Sequence, residues 1–281
     1  MSANRAASIR ARLKNRADAE KQDFDLVLTR FGLERLLYRL SVSRHAPSYL
    51  LKGALLFALW YDAPLRPTRD ADLLGFGPDD VESARAVFRE TCAIEADDGI
   101  VFDAGSVRAE RIRKEAGYGG VRVVLRATLE GARISLQVDI GFGDVVTPAP
   151  EAIAYPVLLD DLPAPGLKAY PKATVVAEKF QALCALGMAN TRMKDYFDLW
   201  VLLRANDLDD PELARAIRAT FVRRRTPMPN GIPAGLSDAF AADASKRTQW
   251  RAFVGRNKLE TAELEVVVRA LREAFRRVGI F

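Results

Sequence analysis

The sequence predicts an α/β or α+β core built on a small sheet, followed by a helical C-terminal half. Three observations predict it. Between residues 62 and about 145, short segments of alternating or β-rich character are punctuated by Gly119-Gly120 and Glu130-Gly131. Residues 147–171 hold Pro148, Pro150, Pro156, Pro163, Pro165 and Pro171, and such a proline run marks a domain boundary because it interrupts regular structure. Beyond it the apolar residues recur at helical spacing. The expected division is residues 1–160, N-terminal helices plus the sheet-bearing core, and residues 161–281, a helical domain.

Taken in order, residues 5 to about 42 read as helix, with Phe24, Val27, Leu28, Phe31, Leu36, Leu37 and Leu40 at helical spacing. Pro47 ends the run. Residues 48–61 read as a second helix, opened by Ser48 as N-cap and apolar nearly all round, so buried. Lys52 and Gly53 are out of place inside it, since a buried ammonium needs a partner. Asp72–Phe76, Gly99–Phe102, Val121–Leu129 and Arg133–Ile140 read as strands, with a helix around Asp80–Thr91. The last two strands form a hairpin turning at Glu130-Gly131. Helices then follow from Pro171 to Gly187, Thr191 to Ala205 and Pro211 to Arg224. After a Pro/Gly loop, the final helix carries the stripe Leu264, Val267, Leu271, Phe275 and Val278. There is no internal repeat and no low-complexity tract.

Composition narrows the function classes. At 281 residues, 49% hydrophobic and 28% charged, the chain is an ordinary globular protein of one or two domains. In the best candidate region the uncharged apolar run, Ala54 to Tyr61, is eight residues; a membrane span needs about 20. The first 16 residues are basic without an apolar stretch, which excludes a signal peptide. Cys92 and Cys184 form no metal-binding pair, and the single histidine, His45, excludes multi-histidine metal sites. The expected setting is a reducing cytoplasm with no membrane partner.

The net charge of +5 is unevenly spread. Residues 1–16 carry five basic and no acidic side chains, and residues 221–281 carry twelve basic and six acidic. The middle, 17–220, holds the other 25 basic and 31 acidic residues. Either this is solvated helix surface, or the ends hold a polyanion while the middle gathers carboxylates for a metal.

Four constellations could carry chemistry. In Arg66-Pro67-Thr68-Arg69-Asp70-Ala71-Asp72, Asp70 and Asp72 fall on one face of a strand, about 7 Å apart at the backbone. They are either a solvated turn or a pair converging on a hard cation such as Mg²⁺. Asp139 lies between Val138 and Ile140, where an acid is costly unless paired or metal-bound; otherwise it is an edge carboxylate facing water. Lys52-Gly53-Ala54 either packs a helix or lets a phosphate approach backbone N–H groups beside an ammonium. Lys179 with Asp195 and Asp198, the acids three apart on one helix face, is either a salt-bridged cluster joining two helices or a phosphate clamp with its orienting acid.

Together these stretches resemble the AbiEii/AbiGii-type nucleotidyltransferase toxins, which include the MenT enzymes. The likeness rests on Leu50-Leu51-Lys52-Gly53-Ala54, Arg66-x-Thr68-x-Asp70-x-Asp72, Gln137-Val138-Asp139-Ile140-Gly141 and Val176-Ala177-Glu178-Lys179. Thr191-Arg192-x-Lys194-Asp195-x-x-Asp198-Leu199 completes it, so that it covers roughly residues 25–205. Two positions depart: Ala54 stands where the family often has Gly or Ser, and Ala71 where a larger aliphatic is usual.

The resemblance implies a nucleotidyltransferase-superfamily core with a small mixed sheet and a C-terminal helical domain. It implies an enzyme, the toxin of a toxin–antitoxin pair, that moves NMP from NTP to an RNA acceptor such as the tRNA 3′ end and so blocks translation. Asp70 and Asp72 would bind Mg²⁺ (or Mn²⁺), with Asp139 completing the metal site or acting as base. Lys52, Gly53, Ala54, Arg66, Thr68 and Lys179 would bind the nucleotide, and Asp195 or Asp198 would serve Lys179. The expected partners are NTP, RNA and a cognate antitoxin. A metal-dependent ribonuclease, nucleotidylation of a protein, and a non-catalytic RNA-binding partner are the alternatives; transfer of label from NTP to tRNA separates the first reading from these.

Overall fold

The computed structural model describes residues 3–61, 66–113 and 119–281. It divides into two compact units, one of residues 1–143 and 151–169, the other of 144–150 and 170–281. The chain therefore passes between units three times.

In the first unit, α1 (Ala3–Ala19) and α2 (Phe24–Val42) precede the sheet. The single helix expected over 5–42 is broken because Asp23 caps α2, accepting from Leu26 N at 2.9 Å. Seven strands follow among the described residues: β1 (Tyr49–Lys52), β2 (Asp70–Gly75), β3 (Ile100–Arg113), β4 (Gly119–Leu129), β5 (Ala132–Phe142), β6 (Glu151–Ala154) and β7 (Gly166–Ala169). Two helices lie among them, α3 (Leu56–Trp60) and α4 (Val81–Ala93). The sheet runs β3-β4-β5-β2-β1-β7-β6. It is mixed: β2 pairs parallel with β5 and β1 with β7, the other neighbours antiparallel.

The helix expected over 48–61 is corrected. Its first part is the inner strand β1, buried at all four positions, and Gly53 at φ 76° turns the chain before the short α3. A continuous apolar run fits a strand covered on both faces as well as it fits a buried helix. The hairpin β6–β7, which lies astride residue 160, was not foreseen; all six prolines of 147–171 fall outside its two ladders, as their missing N–H requires.

Alternation gives β5 two faces. Ile134 and Leu136 point toward α2, which comes so near at Gly32 that a Cβ there would sit 3.0 Å from Leu136 Cδ2. Gln137 and Asp139 project from the other face. Charged residues on the buried side of α2 all have partners. Arg39 forks onto Asp98 at 2.6 and 3.0 Å, Glu34 accepts from Leu158 N at 2.7 Å, and Arg35 donates to Pro163 O at 2.9 Å.

The basic N-terminus is largely engaged within the protein. Arg12 forks onto Asp161, Arg16 binds Glu20 and Leu158 O, Arg5 pairs with Asp97 and Asp161, and Lys14 with Asp18. These contacts favour the surface-helix reading of the α1 charges over a polyanion grip.

The second unit is helical: α5 (Lys172–Leu186), α6 (Met193–Arg204), α7 (Asp210–Arg223), α8 (Asp238–Ala242), α9 (Ala244–Asn257) and α10 (Leu264–Arg277). Its core stacks Phe180 on Phe275 at 4.0 Å and Tyr196 on Phe240 at 5.0 Å. The expected stripe Leu264, Val267, Leu271, Phe275 and Val278 is buried throughout. No helix among the described residues is long and apolar enough to cross a membrane.

Candidate active site

β2 carries Asp70 and Asp72 on the sheet face opposite α2, alternating with buried Ala71 and Leu73. Thr68, in the segment entering β2, donates from Oγ1 to Asp70 Oδ1 at 2.9 Å and so orients that carboxylate. Arg66 lies half-buried two residues earlier. Beside β2, β1 ends with Lys52 in register with Asp72.

Gly53, the next residue, is obligatory there. A Cβ on it would lie 2.1 Å from Asp72 Oδ2 and 2.7 Å from Asp72 Cβ, and the backbone already sits at φ 76°. Glycine thus leaves a cradle that the Asp72 carboxylate fills. Ala54 continues into a 3₁₀ turn, Gly53–Leu55.

The register extends this pair into a row across four strands. Lys52 aligns with Asp72, Asp72 with Asp139 on β5, and Asp139 with Arg122 on β4. Paired residues share a face, so the row reads plus, minus, minus, plus. Asp139, expected as a third metal ligand or a base, has both oxygens engaged. Arg122 Nε donates to Oδ1 and Nη2 to Oδ2, each at 2.8 Å, while Gln137 Nε2 donates to Oδ1 at 3.2 Å. The Asp139 hydrogen bond, helped by the nearby charges of Glu110 and Asp70, pushes Arg122 above its ordinary value, so it stays a cation.

Arg122 went unnoticed in the sequence, yet a signal for it exists. Glu130 and Gly131 both have positive φ, as a two-residue primed hairpin turn requires. Counting seven residues back from Leu129 and seven on from Ala132 pairs Arg122 with Asp139.

Two adjacent carboxylates with a glycine cradle suit a hard cation of the Mg²⁺ kind, which takes one or two protein carboxylates and completes its shell with phosphates and water. Among the described residues no three His, Cys, Asp or Glu side chains gather as a metal-holding group.

The helical unit holds a second polar cluster. Lys179 on α5 sits 2.8 Å from Asp195 Oδ1 and 2.8 Å from Asp198 Oδ2, the two acids one turn apart on α6 and fully buried. Arg192 Nε lies 2.7 Å from the other Asp195 oxygen. Lys194, four residues before Asp198 on α6, is exposed; the ammonium that meets the acids comes from α5. Next to Lys179, Glu178 joins Asp144 around the half-buried Arg224, at 3.2 and 3.0 Å.

Comparison with known proteins follows the same lines. The sequence matches the family described as nucleotidyl transferase AbiEii toxin, type IV TA system, over residues 35–277. Among solved structures, it resembles a candidate nucleotidyltransferase from Helicobacter pylori at 16% identity and a TM-score of 0.50, with 88% of this chain and 91% of that one covered. JHP933 from Helicobacter pylori aligns at 16% identity and 0.48, covering 88% of each chain. An antigenic nucleotidyltransferase-like protein from Paracoccidioides brasiliensis aligns at 12% and 0.38, covering 84% of this chain and 93% of that one. The first likeness shows a shared fold. A search of curated proteins finds no match.

Proposed function

This chain belongs to the AbiEii nucleotidyl transferase toxin family, and on that premise we propose that it transfers NMP from an NTP to an RNA acceptor, with the tRNA 3′ end the favoured target. The observation that carries this reading is the Asp70–Asp72 pair on one sheet face, with Asp72 seated over Gly53. In the proposal Asp70 and Asp72 hold Mg²⁺, with Mn²⁺ as a substitute. The ion, when bound, supplies positive charge to the triphosphate and to the leaving pyrophosphate.

The chain's own groups do the rest. Thr68 fixes the Asp70 carboxylate. Lys52 and Arg66 offer charge to a phosphate, while Gly53, expected to leave a phosphate room, gives that room to the Asp72 carboxylate; Lys179 is the charge that the helical unit offers. Asp195 and Asp198 orient Lys179, which otherwise has a long flexible stem. The acceptor hydroxyl attacks the α-phosphorus, its proton leaves to solvent or base, and the bond to pyrophosphate breaks. A cognate antitoxin would restrain the enzyme.

The test incubates the protein with each α-labelled NTP and total RNA. Wild type should label RNA in the tRNA size range and Asp70→Ala should not; equal labelling by the two proteins would refute the assignment of Asp70. Shortened RNA without NTP would favour a nuclease, and label on protein a nucleotidylated protein acceptor.

A further inference from the structure

The charged row ends in a fork. Of its two carboxylates, Asp139 is forked by Arg122 through both oxygens at 2.8 Å and touched again by Gln137. Such bidentate pairs are directional and strong for their kind. Arg122 is about a third exposed while the Asp139 side chain is nearly covered, at 35% and 11%, so the guanidinium lies at the open side of the row. Its charge also reaches Asp70.

We infer that Arg122 is a positioning residue that keeps Asp139 off the cation and so limits this site to one divalent ion, held by Asp70 and Asp72. A second ion beside the first would need an oxygen of Asp139, the carboxylate in register with Asp72. The fork occupies both oxygens, and the guanidinium charge repels a second dication. A merely structural Arg122, tying β4 to β5, would affect stability and leave the number of bound ions unchanged. The inference rests on the reading of Asp70 and Asp72 as cation ligands.

The experiment uses the full chain without nucleotide, Mn²⁺ as probe, and the electron paramagnetic resonance signal of free aqueous Mn²⁺ as readout, with thermal melting to confirm folding. Wild type should bind one ion per chain, and Asp72→Asn should lose it. Arg122→Met should bind a second ion, since a neighbouring cation shifts an ionic equilibrium by about tenfold or more. Arg122→Lys, whose single ammonium cannot fork, should show the same change to a smaller degree and carries the test if the Met variant does not fold. Adding Asp139→Asn to Arg122→Met should restore one ion. Two ions on wild type, or folded Arg122 variants that still bind only one, would overturn the role of Arg122. No binding by wild type, or binding indifferent to Asp72→Asn, would instead overturn the ligand assignment beneath it.

Discussion

Replacing Gly53 with alanine perturbs the site by one methyl group. The added carbon would stand 2.1 Å from Asp72 Oδ2, 2.8 Å from its Cγ and 2.7 Å from its Cβ. Rotating the Asp72 side chain relieves the first two contacts but not the third, because Cβ is fixed to the β2 backbone. Either β1 or β2 must therefore shift. Forcing a non-glycine residue to positive φ costs about 1–2 kcal/mol, and overpacking typically adds about 1–3 kcal/mol. The expected loss is thus roughly 2–5 kcal/mol in urea unfolding, with Mn²⁺ binding lost as well. The cause is separable by repeating Gly53→Ala in an Asp72→Gly background, where all three contacts vanish. Only the backbone share, about 1–2 kcal/mol, should then remain. An equal loss in both backgrounds would refute the cradle argument.

Two further outcomes are expected. Lys179→Met removes the ammonium shared by Asp195 and Asp198, whose side chains are 0% and 1% exposed, and leaves Arg192 facing Asp195; removing one partner of a buried ion pair costs about 3–5 kcal/mol, and a loss below about 1 kcal/mol in denaturant unfolding would contradict the geometry. Burial pushes the Glu34 carboxyl up to about 7 against the opposing pull of Arg35, so the folded state holds a proton that the unfolded chain releases. The fold consequently loses stability as pH rises from about 4.5 through 7, by about 3 kcal/mol in all, with no further slope above. Unfolding at pH 5 and pH 8 should show this slope in wild type and its absence in Glu34→Gln; parallel slopes would exclude it.

Much of this was legible in the sequence where local patterning and tertiary demand agree. The hairpin at Glu130-Gly131, the stripe on α10 and the face-sharing of Gln137 with Asp139 all follow from period and turn chemistry. Legibility failed where one pattern serves two structures. Leu50 and Leu51 are apolar because an inner strand is covered on both sides, and nothing local distinguishes that from a buried helix. The short β7 owes its place to β1, distant in the chain, and β6 pairs, among the described residues, with β7 alone, so the prolines around them read only as a boundary. In α9 just Lys246 and Trp250 are buried, which leaves almost no apolar stripe to find. Among the site residues, Asp70, Asp72 and Lys179 stood out through motif spacing. Arg122 did not, because its meaning depends on the strand opposite.

The threefold passage of the chain between its units carries a consequence for how the protein is made and divided. The sheet of the first unit takes its last strand from residues 166–169, after the chain has already contributed residues 144–150 to the second. On the ribosome, then, the sheet bearing Asp70 and Asp72 stays short of two strands until more than half of the polypeptide has emerged. No single cut yields two whole units: a break at 143/144 deprives the first of its edge hairpin, and one at 169/170 takes residues 144–150 from the second. Fragments of this chain should therefore regain their fold only on recombination, and exchange of a unit with a relative would need three junctions placed together.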